Sequence, residues 1–149
     1  MGDPFSDLRN LVTLFERRVQ QIAKEHDVEH LSGPQGFVVM YLYKHSGEEV
    51  FIKDIEQRLK ISKSVASNLI NRMEKNSFIK VIPSQKDKRY KQLVLTSLGN
   101  QKAAKLANFH QVIHDKILAD IDLTELKIAK KVIRKIRENL EIKEYSKRC

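Results

Sequence analysis

Apolar residues recur at helical spacing through both ends of this chain, and the stretch between them is too small to cover them all. Near the start, Phe5, Leu8, Leu11, Val12, Phe15, Val19 and Ile22 predict an amphipathic helix over 5–26, roughly 33 Å long. Near the end, Leu106, Phe109, Val112, Ile113 and Ile117 stripe a fifth helix. Ile128, Val132, Ile133, Ile136 and Leu140 stripe a sixth, with Thr124 as its cap. Such stripes must be buried against something. A chain of 149 residues makes one domain, or one domain plus an attached helical interface. The surplus therefore predicts a homodimer, with 5–26 and 98–145 as its helices. Phe5, Leu8, Leu11, Val12, Val112, Ile128, Val132, Ile133, Ile136 and Leu140 would form its seam.

The middle of the chain reads differently. "LSGPQGFVVM" starts a second helix, with Ser32 as N-cap, Gln35 closing a capping box and Pro34 in the first turn. Phe37, Val38, Met40, Tyr41 and Leu42 make that helix apolar on most sides, so it is central. Val50-Phe51 suits a short β segment. "IKDIEQRLK" is a short helix with Ile52, Ile55 and Leu59 inward, and Phe51 where its cap belongs. Ser62 then caps another helix and Ile61 can staple against it. "KVIPSQKDKRYKQLVLT" alternates, which predicts a β-hairpin of 79–83 and 89–96 around a turn over 84–88. The fold class is thus mainly α with a small β wing, a winged helix-turn-helix over 32–97 with terminal dimerisation helices.

The stretch "ISKSVASNLINRMEKNSFI" at 61–79 carries the functional signal. Ala66, Leu69, Ile70 and Met73 form its inner face. Its outer face holds Ser62, Lys63, Ser64, Ser67, Asn68, Asn71, Arg72 and Lys75, with Glu74 the sole acid. Small polar side chains let a helix sit close to base edges in a major groove. Residues 51–91 hold 11 basic and 4 acidic residues, +7 of a total of +9, whereas 1–50 is net negative. Concentrated charge of this kind points to a polyanion, here double-stranded DNA. The hairpin tip adds Lys86, Lys88, Arg89 and Lys91.

Other features exclude classes. The single cysteine, Cys149, allows no internal disulfide and fits a reducing cytoplasm. The longest apolar run, "FVVMYLY", is far too short to span a bilayer, and no signal-peptide pattern opens the chain, so no membrane partner is expected. The start "MGDPFS" matches the myristoylation pattern by chance, Asp3-Pro4 being unsuitable after the glycine. No Gly-rich phosphate loop, nucleophile elbow or paired carboxylates are found, so no enzyme and no cofactor is expected.

"LSGPQGFVVMYLY", "ISKSVASNLINRMEKNSFI" and "DKRYKQLVLTSLGNQ" resemble the three signature regions of MarR-type transcriptional regulators, closest in flavour to the SlyA-like branch. The likeness covers essentially the whole chain. Its most specific part is Asp87, Arg89 and then "LTSLG" with Thr96 and Gly99. It implies a homodimer on a palindromic operator. Ser62, Lys63, Ser64, Val65, Ser67, Asn68 and Arg72 would lie on the recognition helix, and Arg89 in the minor groove, oriented by Asp87. The family usually has Gly after this helix. Ser77 stands there instead, so either Asn76 turns left-handed or the turn differs.

The resemblance also implies small aromatic or anionic effectors, with Tyr41, Tyr43, Phe15 and His110 as candidate lining and core packing as the competing explanation. His110 and His114 stand four apart, a spacing that can hold a metal. Zinc-sensing members complete such a site with Glu and His where this chain has Gln35 and Gly36, so no metal site is assigned. A metal-responsive regulator and a winged-helix protein-interaction module remain the alternatives to an ordinary DNA-binding regulator.

Overall fold

The computed structural model describes residues 2–146, with the side chains of 142–146 left aside; Cys149 lies outside the described residues. The elements run α1 (Pro4–Glu25), a 3-10 turn (Glu29–Leu31), α2 (Pro34–Lys44), β1 (Val50–Phe51), α3 (Ile52–Leu59), α4 (Lys63–Lys75), β2 (Ile79–Pro83), β3 (Lys91–Leu95), α5 (Ser97–Ile117) and α6 (Leu123–Ser146). Two compact units divide the chain at Ile113/His114. The fold is mainly helical with a β wing, as the residue pattern predicts.

The first unit contains the core. Val38, Val39 and Leu42 of α2, Ile55 of α3, and Leu69, Ile70 and Met73 of α4 are buried together with Ile79, Leu93, Leu106 and Phe109. Each such side chain stabilises the fold by about 1.5–3 kcal/mol through burial. The inner face of α4 is the predicted one. Only Ile22 and Ala23 of α1 are buried, while Phe5, Leu8, Leu11, Val12, Leu14 and Phe15 are exposed. In the second unit, Ile128, Val132, Ile133, Ile136 and Leu140 of α6 are likewise exposed. Val112 of α5, by contrast, is half-buried against its own chain's core.

The helix ends show where local chemistry prevailed and where it did not. Ser62 caps α4, its Oγ accepting from Val65 N at 3.2 Å. The Ser32–Gln35 capping box does not form. Gly33 precedes α2, Ser32 Oγ donates back to Glu29 O, and Gln35 Oε1 accepts from Asn76 Nδ2. Pro34 starts the helix one residue later than a serine cap requires. At α6 the cap is Asp122 rather than Thr124. Asp122 Oδ1 accepts from Glu125 N at 2.8 Å, and a carboxylate at the first turn serves better than a hydroxyl placed too far along. Phe51 cannot cap with its ring, so Asp54 reaches back to its amide at 2.9 Å.

The wing is a three-stranded antiparallel sheet ordered β1-β3-β2, whereas the alternation of 79–96 alone predicts a two-stranded hairpin. Val50 pairs with Leu93, and Ile79 with Leu95 through Pro83 with Lys91. The return strand begins at Lys91 rather than 89, because Ser84 to Tyr90 form a wider turn, closed by Ser84 N donating to Tyr90 O at 2.8 Å. The added strand answers the marginal stability of an isolated hairpin.

Helix α4 ends in a Schellman turn. Phe78 N donates to Met73 O and Ser77 N to Glu74 O, with Ser77 at φ 64° and Asn76 still helical. Ser77 itself therefore takes the left-handed conformation. Thr96 locks this turn from the other side. Its hydroxyl donates to Ser77 O and accepts from Gly99 N at 3.0 Å, which also caps α5. Gly99 sits so close that a Cβ there would collide with the Phe78 carbonyl oxygen. Relieving the left-handed strain by Ser77→Gly should raise the unfolding free energy by about 0.5–1 kcal/mol. Gly99→Ala should lower it by about 2–4 kcal/mol, because the obstacle is backbone. Urea midpoints of the two variants check both signs.

Candidate nucleic-acid interface

Two elements of the first unit present the polar and basic residues singled out in the sequence. On α4, Ser62, Lys63, Ser64, Val65, Asn68, Arg72 and Lys75 are exposed, and Ser67 is half-buried. Ser64, Asn68 and Arg72 stand four apart on one row. Ser67 faces a shallow groove between α4 and the sheet, shared with Asn71, Glu74 and Lys91. Lys63 and Ser64 occupy the first turn, where the positive end of the helix favours an anion.

The second element is the wing tip. Lys86, Lys88, Arg89 and Lys91 lie on the surface around it. Asp87 grips Arg89 through both carboxylate oxygens, Nη2 to Oδ2 at 2.8 Å and Nε to Oδ1 at 3.1 Å. The Arg89 amide also donates to Oδ1 at 3.1 Å. These bonds hold the Asp87 carboxyl below its ordinary range and raise the Arg89 guanidinium. The arginine keeps 84 % of its side-chain surface in solvent, so the pair spends its geometry on direction rather than burial. A bidentate arginine is stiffer than a free one.

Residue-by-residue reading missed Glu49 and Ser84. Ser84 is buried, and its Oγ accepts from the amides of Lys86 and Asp87, both at 3.1 Å. Its hydroxyl donates to Glu49, whose other oxygen accepts from Gln85 N at 2.8 Å. The signal available in the sequence was only a pair of acids, Glu48 and Glu49, just before β1. The serine that Glu49 meets is 35 residues further along the chain.

A separate cleft of about 390 Å³ lies beside α2, lined by Phe37, Met40, Tyr41, Lys44, His45, Leu106 and His110 among others. Tyr41 and His110 both line this cleft. Tyr43 and Phe15 do not; both are exposed. Tyr41 stacks on His45 at 4.2 Å, and Arg58 of α3 lies over its ring at 5.6 Å. At Gly36 a Cβ would run into the Leu31 carbonyl, so the backbone there has no room for a side chain. Among the described residues no three His, Cys, Asp or Glu gather as a metal site. Among the same residues no helix is long and apolar enough to cross a membrane.

This combination of an exposed polar helix after a short helix and a basic three-stranded wing defines a winged helix-turn-helix protein. Residues 31–89 match the model of the MarR family. The chain is 51% identical to the heme sensor protein PefR from Streptococcus agalactiae, solved in complex with heme. The match covers 93% of this chain and 95% of that one with a TM-score of 0.77. It is 22% identical to the HTH-type transcriptional regulator YwhA of Bacillus subtilis (strain 168), covering 88% of this chain and 93% of that protein. A point mutant of S. aureus MepR bound to an oligodeoxyribonucleotide is 20% identical, covering 93% and 99% of the two chains at a TM-score of 0.61, which shows the shared fold. The chain belongs to the MarR family of DNA-binding transcriptional regulators.

His110 titrates below the ordinary histidine range, first because of partial desolvation and then because of the Lys44 charge. The unfolded chain therefore takes up this proton first. The stability that a neutral His110 contributes is complete above about pH 6.5 and is lost as pH falls through the lower folded value. His110→Gln should flatten the acid decline in stability below about pH 6.5. Urea midpoints measured across that range for both proteins check it.

Proposed function

We propose that this protein is a homodimeric, sequence-specific regulator that grips a palindromic operator with two α4 helices and two wings. The observation that carries this reading is the pairing of an acid-poor polar helix face with a wing whose arginine is held outward by Asp87. Ser64, Asn68 and Arg72 face base edges, and Ser67 approaches from the wing side. Ser62, Lys63, Lys75, Lys86, Lys88 and Lys91 meet phosphates, and Val65 contacts the groove wall. Arg89 enters the flanking minor groove, where narrow A·T-rich DNA concentrates negative potential. The lobe over 32–97 does this work. The exposed stripes of α1 and α6 supply the dimer seam, since so much apolar surface on lone helices is otherwise a liability.

For the effector, half-identity to a heme sensor outweighs the SlyA-like flavour of the motifs, and supports heme. The residues present suit it. The cleft beside α2 offers Phe37, Met40, Tyr41 and Leu106 as apolar wall and Lys44 as a cation for a propionate. His110 lines the cleft, and its lowered titration favours the neutral ring that an iron ligand needs. Heme iron is commonly held by histidine. Those residues would bind and orient the group, and the bound state would bias the DNA-binding lobe.

Selection of bound sequences from random DNA tests the core of the reading and should return a palindrome with half-sites about 10 bp apart and A·T-rich flanks. If about eight phosphates are neutralised, log K against log salt should fall with a slope near −7. A slope shallower than about −2 contradicts two lobes on one duplex. Lys63→Ala and Arg89→Ala should weaken binding across sequences, whereas Ser67→Ala and Asn68→Ala should shift base preference by about 1–3 kcal/mol. Ile133→Asp should lower both dimerisation in sedimentation and operator affinity.

The effector is checked by heme titration. A Soret shift should appear in the wild type and be reduced in His110→Ala. No shift in the wild type would remove heme as the ligand.

A further inference from the structure

The wing tip, Ser84 to Tyr90, is a wide turn that carries Lys86, Lys88 and Arg89, and such a turn loses much conformational entropy on being fixed. Its anchor comes from elsewhere in the chain. Glu49 lies immediately before β1, which pairs with β3 and runs directly into α3. Both of its carboxylate oxygens are engaged by the start of the tip, one by the Ser84 hydroxyl and one by the Gln85 amide at 2.8 Å. The Ser84 hydroxyl lowers the Glu49 carboxyl, which stays charged at neutral pH. Ser84 passes the constraint on, since its oxygen receives the amides of Lys86 and Asp87. Asp87 then holds the Arg89 guanidinium and amide. A continuous run of hydrogen bonds thus leads from the strand ahead of the helix-turn-helix to the guanidinium at the wing tip.

We propose that Glu49, although not itself a DNA-facing group, is a positioning residue whose carboxylate latches the wing tip and so aims Arg89. The inference rests on the reading that the wing meets DNA, and it deepens it. Electrostatics alone would make an acid on this face unfavourable, because it repels a polyanion. Its presence is explained by the geometry it imposes. No other side chain bonds to Gln85 N or receives the Ser84 hydroxyl hydrogen among the described residues.

The latch and the charge predict opposite signs. Removing a negative charge beside DNA should tighten binding if charge is all that matters. Loss of the latch should weaken it. Glu49→Gln keeps the size but offers one acceptor where two are needed, so one donor at the tip loses its partner. We expect operator affinity to fall about fivefold to tenfold and A·T-over-G·C discrimination at the flanks to shrink, with half-site preference unchanged. In the Arg89→Ala background, Glu49→Gln should add little, since both act through one guanidinium. Tighter or unchanged binding with intact flank discrimination would overturn the proposal, as would full additivity with Arg89→Ala. Amide hydrogen exchange on the free protein separates this from the DNA-binding reading. The amides of Gln85, Lys86 and Asp87 should exchange about fivefold or more faster in Glu49→Gln. Unchanged exchange would end the latch even if the protein binds its operator; faster exchange would keep it even if no operator were found.

Discussion

The Thr96 hydroxyl is the interaction on which the geometry of the winged helix-turn-helix depends. It meets the carbonyl of Ser77 at the exit of α4 and the amide of Gly99 at the entrance of α5. The turn out of α4, the end of the last wing strand and the start of α5 are therefore fixed at one point. The backbones approach there to a distance only glycine permits at position 99. A hydroxyl is suited to this because it both donates and accepts. This gives a physical reason for the "LTSLG" sequence: Thr caps, Leu95 packs on the core, and Gly99 lets the helix close on Phe78.

The wing shows how a charged tip is made directional. Two lysines and an arginine on a free loop would attract a polyanion without aim. Here the tip is tied down through Ser84 and Asp87, each making several bonds at once. Long-range attraction and short-range direction are thus supplied by different residues. On the proposed reading the lysine and arginine charges would draw the duplex, whereas an aspartate, a serine and a glutamate would set the angle. In the proposed complex the acids contribute by geometry against their own charge.

The same separation holds at the level of the chain. The first unit is well packed, with Ile55, Leu69, Met73 and Leu106 fully buried. The helix stripes of α1 and α6 carry as much apolar character yet remain exposed. The central lobe is buried within the chain; in the proposed dimer the partner copy would cover the stripes. Effector binding in the proposed cleft adjoins α2, whose Tyr41 also carries Arg58 of α3 on its face. A displacement of that ring would reach the helix-turn-helix through a single stacked contact.

Much was legible in the residues alone, and the reason is local. The inner face of α4, its Ser62 cap, the short strand at Val50-Phe51 and the basic tip each follow from spacing or from one side chain bonding within a turn. The fold class and the +7 cluster needed no structure. What failed was equally local in form but was decided by tertiary competition. Ser32 and Gln35 satisfy a capping-box pattern, but Gln35 is drawn to Asn76, 41 residues away, and the cap is lost. With Ser77 in the glycine position, the sequence implies a left-handed Asn76 or a different turn, whereas the Thr96 contact and the Schellman bonds hold Ser77 itself left-handed. Glu49 was only an acid before a strand until the sheet brought it to Ser84. The amino-acid pattern determined which faces are apolar and where charge gathers, because those depend on period and composition. Only the tertiary structure decided which polar group serves which, because a hydrogen bond goes to whichever partner packing delivers within about 3 Å.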